Sequence, residues 1–254
     1  MTTDDVIARL EQIAGACNSE CSRLGYFPVV YKIVTEHVKA GIAQGRFEDP
    51  ARMERLDVIF AERYFDALDA SRAGRPVSGS WRLAYAAAER TNLIALQHLL
   101  LSMNAHIGLD LGVAAAEVAP GPAIASLRRD FDAINQILLD VLGNVQKAIE
   151  SISPSIRLLD TLGGRSDEEL AAFGLVTARQ LAWKNAVALA AMDNDTRSGA
   201  IGTLDTAVEL AGGLILAPGP LSHAAVKTIW LTEEKDPCKV MQALALSSVE
   251  HDQS

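Results

Sequence analysis

His106 and Asp110 are the two residues of this chain whose types and spacing point most directly to chemistry. They stand four apart in Leu96-Gln97-His98-Leu99-Leu100-Leu101-Ser102-Met103-Asn104-Ala105-His106-Ile107-Gly108-Leu109-Asp110-Leu111. On an α-helix that spacing sets an imidazole and a carboxylate on one face, one turn and about 6 Å apart. Such a pair can share a divalent ion, or the carboxylate can orient the imidazole for proton transfer. The stretch around them is the most apolar long segment of the chain, and an unpaired polar group buried there costs about 1–3 kcal/mol. A metal centre, a metal-free functional pair and a structural ion pair are all open readings.

His98 and Ser102 extend the same stripe toward the N-terminus, and Gln97 with Asn104 draws a second polar line about 100° away. His98 lies about 12 Å before His106 on a straight helix, too far to share its ion. It is expected as a proton donor or acceptor, with Ser102, Gln97 and Asn104 as substrate-binding groups. A metal at His106 and Asp110 therefore needs outside ligands, and Asp57, Glu62, Asp66, His37 and Asp205 are the candidates.

Asp57 is the acid most embedded in apolar sequence, in Leu56-Asp57-Val58-Ile59-Phe60-Ala61-Glu62-Arg63-Tyr64. It is expected as a third metal ligand or a catalytic carboxylate, with Arg63 and Tyr64 beside it in catalytic roles; an ordinary helix–helix ion pair is the plainer account. Tyr31 and Thr35, four apart, point toward the same region, Tyr31 as a substrate contact. The ion expected is zinc or iron.

Behind these residues the apolar spacing is helical almost everywhere, and no alternating strand or hairpin signal occurs. Helices are expected over about 4–23, 27–44, 50–70, 81–90, a central one to Val118, 123–151, a short one after Ser153-Pro154, one from the capping box Ser166-Asp167-Glu168-Glu169 to Met192, 200–216, 223–234 and 237–246. Asp49-Pro50 and Asp236-Pro237 are cap-plus-proline starts. Gly163-Gly164 and Ala119-Pro120-Gly121-Pro122 are stops, the latter a candidate seam, and the tail after Ser248 is polar. The fold class is all-α: one domain of about eight to nine helices around the central one, with a cavity between the second, third and central helices.

The chain has 254 residues, 49% hydrophobic and 22% charged, enough for a sizeable core. Its net charge of -9 argues against nucleic acid or an anionic membrane as partner. There is no run of eighteen apolar residues, so no spanning helix is expected, and from the acidic start no signal peptide is expected. Cys17, Cys21 and Cys238 are an odd count, which suits reduced thiols in a cytoplasm; Cys17 and Cys21, one turn apart, are half of a possible metal site. Nucleotide-cradling glycine loops, a Gly-x-Ser-x-Gly elbow, paired Glu-x-x-His motifs and aspartate-rich prenyl-diphosphate motifs are absent.

Through Gln97-His98-Leu99-Leu100-Leu101-Ser102-Met103-Asn104-Ala105-His106 and Asp110-Leu111 the chain resembles a bacterial family of helical proteins of unknown function. The likeness extends to Gly45-Arg46-Phe47-Glu48-Asp49-Pro50 and to Leu56–Tyr64, and it implies a helical fold but no activity. A second likeness, through His106-x-x-x-Asp110, is to helical zinc phospholipase C and nuclease proteins. Those enzymes use several more histidines and the mature N-terminal amine, whereas this chain has five histidines. These readings lead to a metal-dependent hydrolase, lyase, cyclase or non-haem iron enzyme acting on a small, partly apolar molecule. The alternative is a metal-free ligand-binding or biosynthetic accessory protein.

Overall fold

The computed structural model describes residues 1–159 and 167–247. Among them are ten helices and no strand: α1 Thr3–Ser19, α2 Tyr26–Ala43, α3 Pro50–Arg72, α4 Gly79–Ala88, α5 Ala95–Val118, α6 Ile124–Ile152, α7 Asp167–Ala190, α8 Asn194–Leu216, α9 Pro220–Thr232 and α10 Pro237–Leu246. The all-α expectation holds, with slightly more helices than expected. Ser166, Gly163-Gly164 and the tail after Ser248 lie outside the described residues.

Local caps start several helices where the sequence signals them. Asp49 accepts from Arg52 N at 2.9 Å ahead of Pro50, and Asp236 accepts from Cys238 N at 2.9 Å ahead of Pro237. At α1, Thr2 and Asp5 cap each other reciprocally. Remote acids reinforce the start of α3 and cap two further helix starts, those of α4 and α5. Asp130 of α6 accepts from Glu48 N and Asp49 N; Asp205 of α8 from Gly79 N, Ser80 N and the Ser80 hydroxyl; Glu233 from Ala95 N. Each places a carboxylate at the positive end of a helix dipole and satisfies otherwise orphaned N–H groups. Asp205, a candidate metal ligand by sequence, is thus the cap of α4.

α5 is the central helix, and it is not a straight α-helix. Its middle, His106–Asp110, is a π-helical turn. At Gly108 in that turn, a Cβ would come within 3.1 Å of the Val208 side chain of α8. Gly112 lets α5 approach α7, since a Cβ there would meet Ala182 O at 3.0 Å. Gln97 and Asn104 lash α5 to the antiparallel α8: Gln97 Nε2 donates to Ile215 O and Asn104 Nδ2 to Val208 O, both at 2.8 Å.

The apolar interior forms two clusters. One gathers α1, the start of α2, the second half of α3, α4 and the first half of α5 around Leu10, Phe65 and Trp81. The other gathers the end of α2, the start of α3, the second half of α5, the first half of α6 and α7 around Met53, Leu127 and Phe131. Phe60 of α3 packs against both, so it marks their seam.

One expectation needs correction, and a second meets two helices that bear on it. Cys21 and Cys238 form a disulfide between the end of α1 and the start of α10, so only Cys17 is a free thiol, and it is buried. Cys21 is therefore not half of a metal site with Cys17, and the thiol argument for a cytoplasmic setting falls away. Second, α5 and α8 are both long and apolar enough by composition to cross a membrane. Of the qualifying window in α5, 67% is buried, which suits a core helix, against 11% in α8.

Candidate functional site

His106 sits at the seam of the two clusters, 2% exposed. The Phe60 ring stacks on its imidazole with centroids 3.6 Å apart and planes 10° apart. Tyr31, Phe27, Trp81 and Tyr64 complete an aromatic box, with centroids 4.7, 5.5, 6.1 and 6.2 Å away. Its Nδ1 lies 3.2 Å from Asp110 Oδ2. In the π turn a residue four positions on falls just short of a full turn, which aligns the two side chains. A carboxylate only accepts, so Nδ1 carries the ring proton and Nε2 is the free acceptor. Burial lowers the His106 pKa and its bond to Asp110 opposes that, the ring staying neutral.

Asp110 is fully engaged. Oδ2 also accepts from Trp81 Nε1 at 2.9 Å, and Oδ1 accepts from Arg63 Nε at 3.2 Å. Arg63 reaches on to Glu117 at 3.7 Å. The carboxylate therefore faces a cation, an indole and an imidazole, and it holds His106 in one tautomer and one orientation.

His106 lines a cavity of about 90 Å³. It lies between α2, α3 and α5, where the sequence placed it, with α6 and α7 closing the far side. Its wall is apolar, built from Val30, Val38, Met53, Leu56, Met103, Leu111 and others. Three polar residues of the lining stand out: Tyr31, Asp57 and His106. Each has a buried polar atom without a hydrogen-bond partner, namely Tyr31 Oη, Asp57 Oδ2 and His106 Nε2. Burial pushes the Asp57 carboxyl up to about 7 and raises the Tyr31 hydroxyl well above its usual value. Arg179 also lines the cavity, but Nε donates to Asn135 Oδ1 and Nη2 to Phe131 O, both at 2.6 Å.

The remaining sequence candidates do not line the cavity. His98 packs edge-on against Tyr26 at 5.9 Å, and burial pulls its pKa down to about 4. Gln97 and Asn104 serve the α5–α8 contact, and Ser102 is half-buried. Tyr64 packs between Phe27 and Trp81 at 5.1 and 5.3 Å. The polar stripe thus divides: of His98, Ser102, His106 and Asp110, only the last two meet. Trp81, missed by the sequence reading, holds Asp110 from 29 positions away, and no spacing rule links the two.

The geometry does not assemble the divalent centre expected from His106, Asp110 and Asp57. Nδ1 and both oxygens of Asp110 already hold hydrogen bonds, and the Arg63 guanidinium stands against Oδ1, where its charge opposes a second cation. Among the described residues, one group of three ligand atoms lies mutually within 4.8 Å: Cys21, Asp236 and Cys238, whose sulfurs are bonded to each other.

No curated protein and no solved structure matches the chain. A family model does match, over residues 3–218, covering every residue of the cavity and of the His106–Asp110 pair. The chain belongs to that family, the family of unknown function DUF5995.

Proposed function

We propose that this protein binds a small, predominantly apolar molecule in the cavity at the seam and acts on it without a metal, using His106 as proton acceptor and Asp110 as its orienting partner. One observation carries the reading: three buried polar atoms, Tyr31 Oη, Asp57 Oδ2 and His106 Nε2, lack partners on one apolar cavity. Leaving such groups unpaired costs stability, and a ligand's polar end would satisfy them. A carboxylate-held imidazole with its second nitrogen free is the arrangement of a general base. The cavity is smaller than the roughly 150 Å³ that takes up benzene, so it fits the reacting end of a small molecule.

The test is a melting-temperature screen of small neutral carbonyl and hydroxyl compounds. Members that stabilise the protein should lose their effect in Tyr31→Phe and His106→Ala. If no compound acts, or the variants respond like the parent, the reading fails. Elemental analysis accompanies it: zinc or iron at one per chain, lost in His106→Ala, would return the metal-dependent enzyme to first place.

A further inference from the structure

Resting on that reading, we infer that the site catalyses proton transfer next to a carbonyl group, with Tyr31 and Asp57 as neutral donors to the carbonyl oxygen and His106 as the base. The cavity offers two hydroxyl-type donors and one acceptor, Nε2, against an apolar wall. That is the complement of a carbonyl oxygen beside a weakly acidic C–H bond. Burial raises the Asp57 carboxyl to about 7, only partly opposed by the Thr3 hydroxyl beside it, so the protonated form is present to donate. A carboxylic acid kept neutral by an apolar site can stabilise an enolate in this way. Among the described residues lining the cavity there is no serine, threonine or cysteine. The serine, threonine or cysteine on which most acyl-enzymes form is therefore absent there.

The step balances without a co-reactant. Nε2 takes the proton from the carbon next to the carbonyl, and the C–H pair forms a carbon–carbon double bond. The carbonyl π pair moves onto oxygen, which accepts from Tyr31 and Asp57. The imidazolium, stabilised by Asp110, then returns the proton to the carbon two positions further along, and the carbonyl reforms. The substrate class is a small neutral β,γ-unsaturated carbonyl compound, and the product is its conjugated isomer.

The probe is the five-carbon cyclic β,γ-unsaturated ketone, whose conversion to the conjugated ketone is read by ultraviolet absorbance and proton NMR. The full-length protein is expected to accelerate the conversion, and His106→Ala to abolish the acceleration. Tyr31→Phe, which keeps the ring, should slow it about 100-fold, as loss of one oxyanion donor does. The rate should fall above pH 7 as Asp57 ionises, and Asp57→Asn, which keeps a donor at all pH values, should lose that fall. Binding of the ketone without conversion overturns this inference and leaves the proposed ligand site standing. Absence of binding by any carbonyl compound overturns the ligand site itself. Hydrolysis of methyl acetate in place of isomerisation would overturn the inference in favour of water activation.

Discussion

Trp81 Nε1 donates to Asp110 Oδ2 at 2.9 Å, the same oxygen that faces His106 Nδ1 at 3.2 Å. The indole is 1% exposed, so its N–H has no water to turn to. Trp81→Phe keeps the ring packing and removes this donor. It should cost about 1–3 kcal/mol in urea unfolding at unchanged m-value. Unaltered stability would show that the indole bond contributes nothing.

Removing the carboxylate itself should do more. Asp110→Ala strands the His106 N–H, the Trp81 N–H and the Arg63 guanidinium together. Breaking a buried charged pair costs about 3–5 kcal/mol. Arg63 is 27% exposed and can turn partly to solvent, so the lower end is expected. Adding Arg63→Met to Asp110→Ala should recover part of the loss, and a double-mutant cycle measures how much.

Asp57 gives the fold a pH signature. Its folded pKa is raised by burial to about 7, from the ordinary carboxyl value of 3.8. Between these values the unfolded chain has lost this proton while the folded one keeps it, so the group's contribution falls as pH rises through that window. Compared with wild type, Asp57→Asn should gain stability from pH 4 to pH 7, by up to about 4 kcal/mol, and gain no more above it. Parallel stability curves for the two proteins would place Asp57 in a solvated setting.

What the sequence revealed and what it hid divide along one physical line. Local signals are read within a turn or two: Asp49-Pro50, Asp236-Pro237 and the His106/Asp110 spacing all appear in the structure as such. The cavity between α2, α3 and α5 was legible because Asp57 and His106 are polar groups in apolar helices, which must face something inside. Contacts made across the chain were not legible. The acids Asp130, Asp205 and Glu233 cap helices from 81 to 138 positions away, and nothing near them in sequence distinguishes a cap from a ligand. The π turn was hidden too, because angular bookkeeping at 100° per residue assumes a straight helix. That assumption joined His98 to a stripe it does not share with His106.

His98 is therefore expected to be dispensable for chemistry. Burial holds its pKa near 4, below the ordinary 6.5, so the unfolded chain binds a proton between those values that the folded one refuses. Its contribution is lost as pH falls through that window. His98→Leu should resist acid unfolding better than wild type between pH 6.5 and pH 4, while ligand-induced melting shifts at neutral pH stay the same. A variant that loses those shifts would put His98 back in the site.

The bridge between Cys21 and Cys238 spans 217 positions, so the protein is covalently a ring with two short tails. One cut by a protease anywhere between these cysteines opens the ring and releases nothing. Lightly digested protein should migrate as a single full-mass species on a denaturing gel without reductant and separate into two pieces only when the disulfide is reduced. Fragments that part without reductant would show that the ring is open. Where it is closed, damage to a loop leaves both halves tethered, and each can find the other again after unfolding.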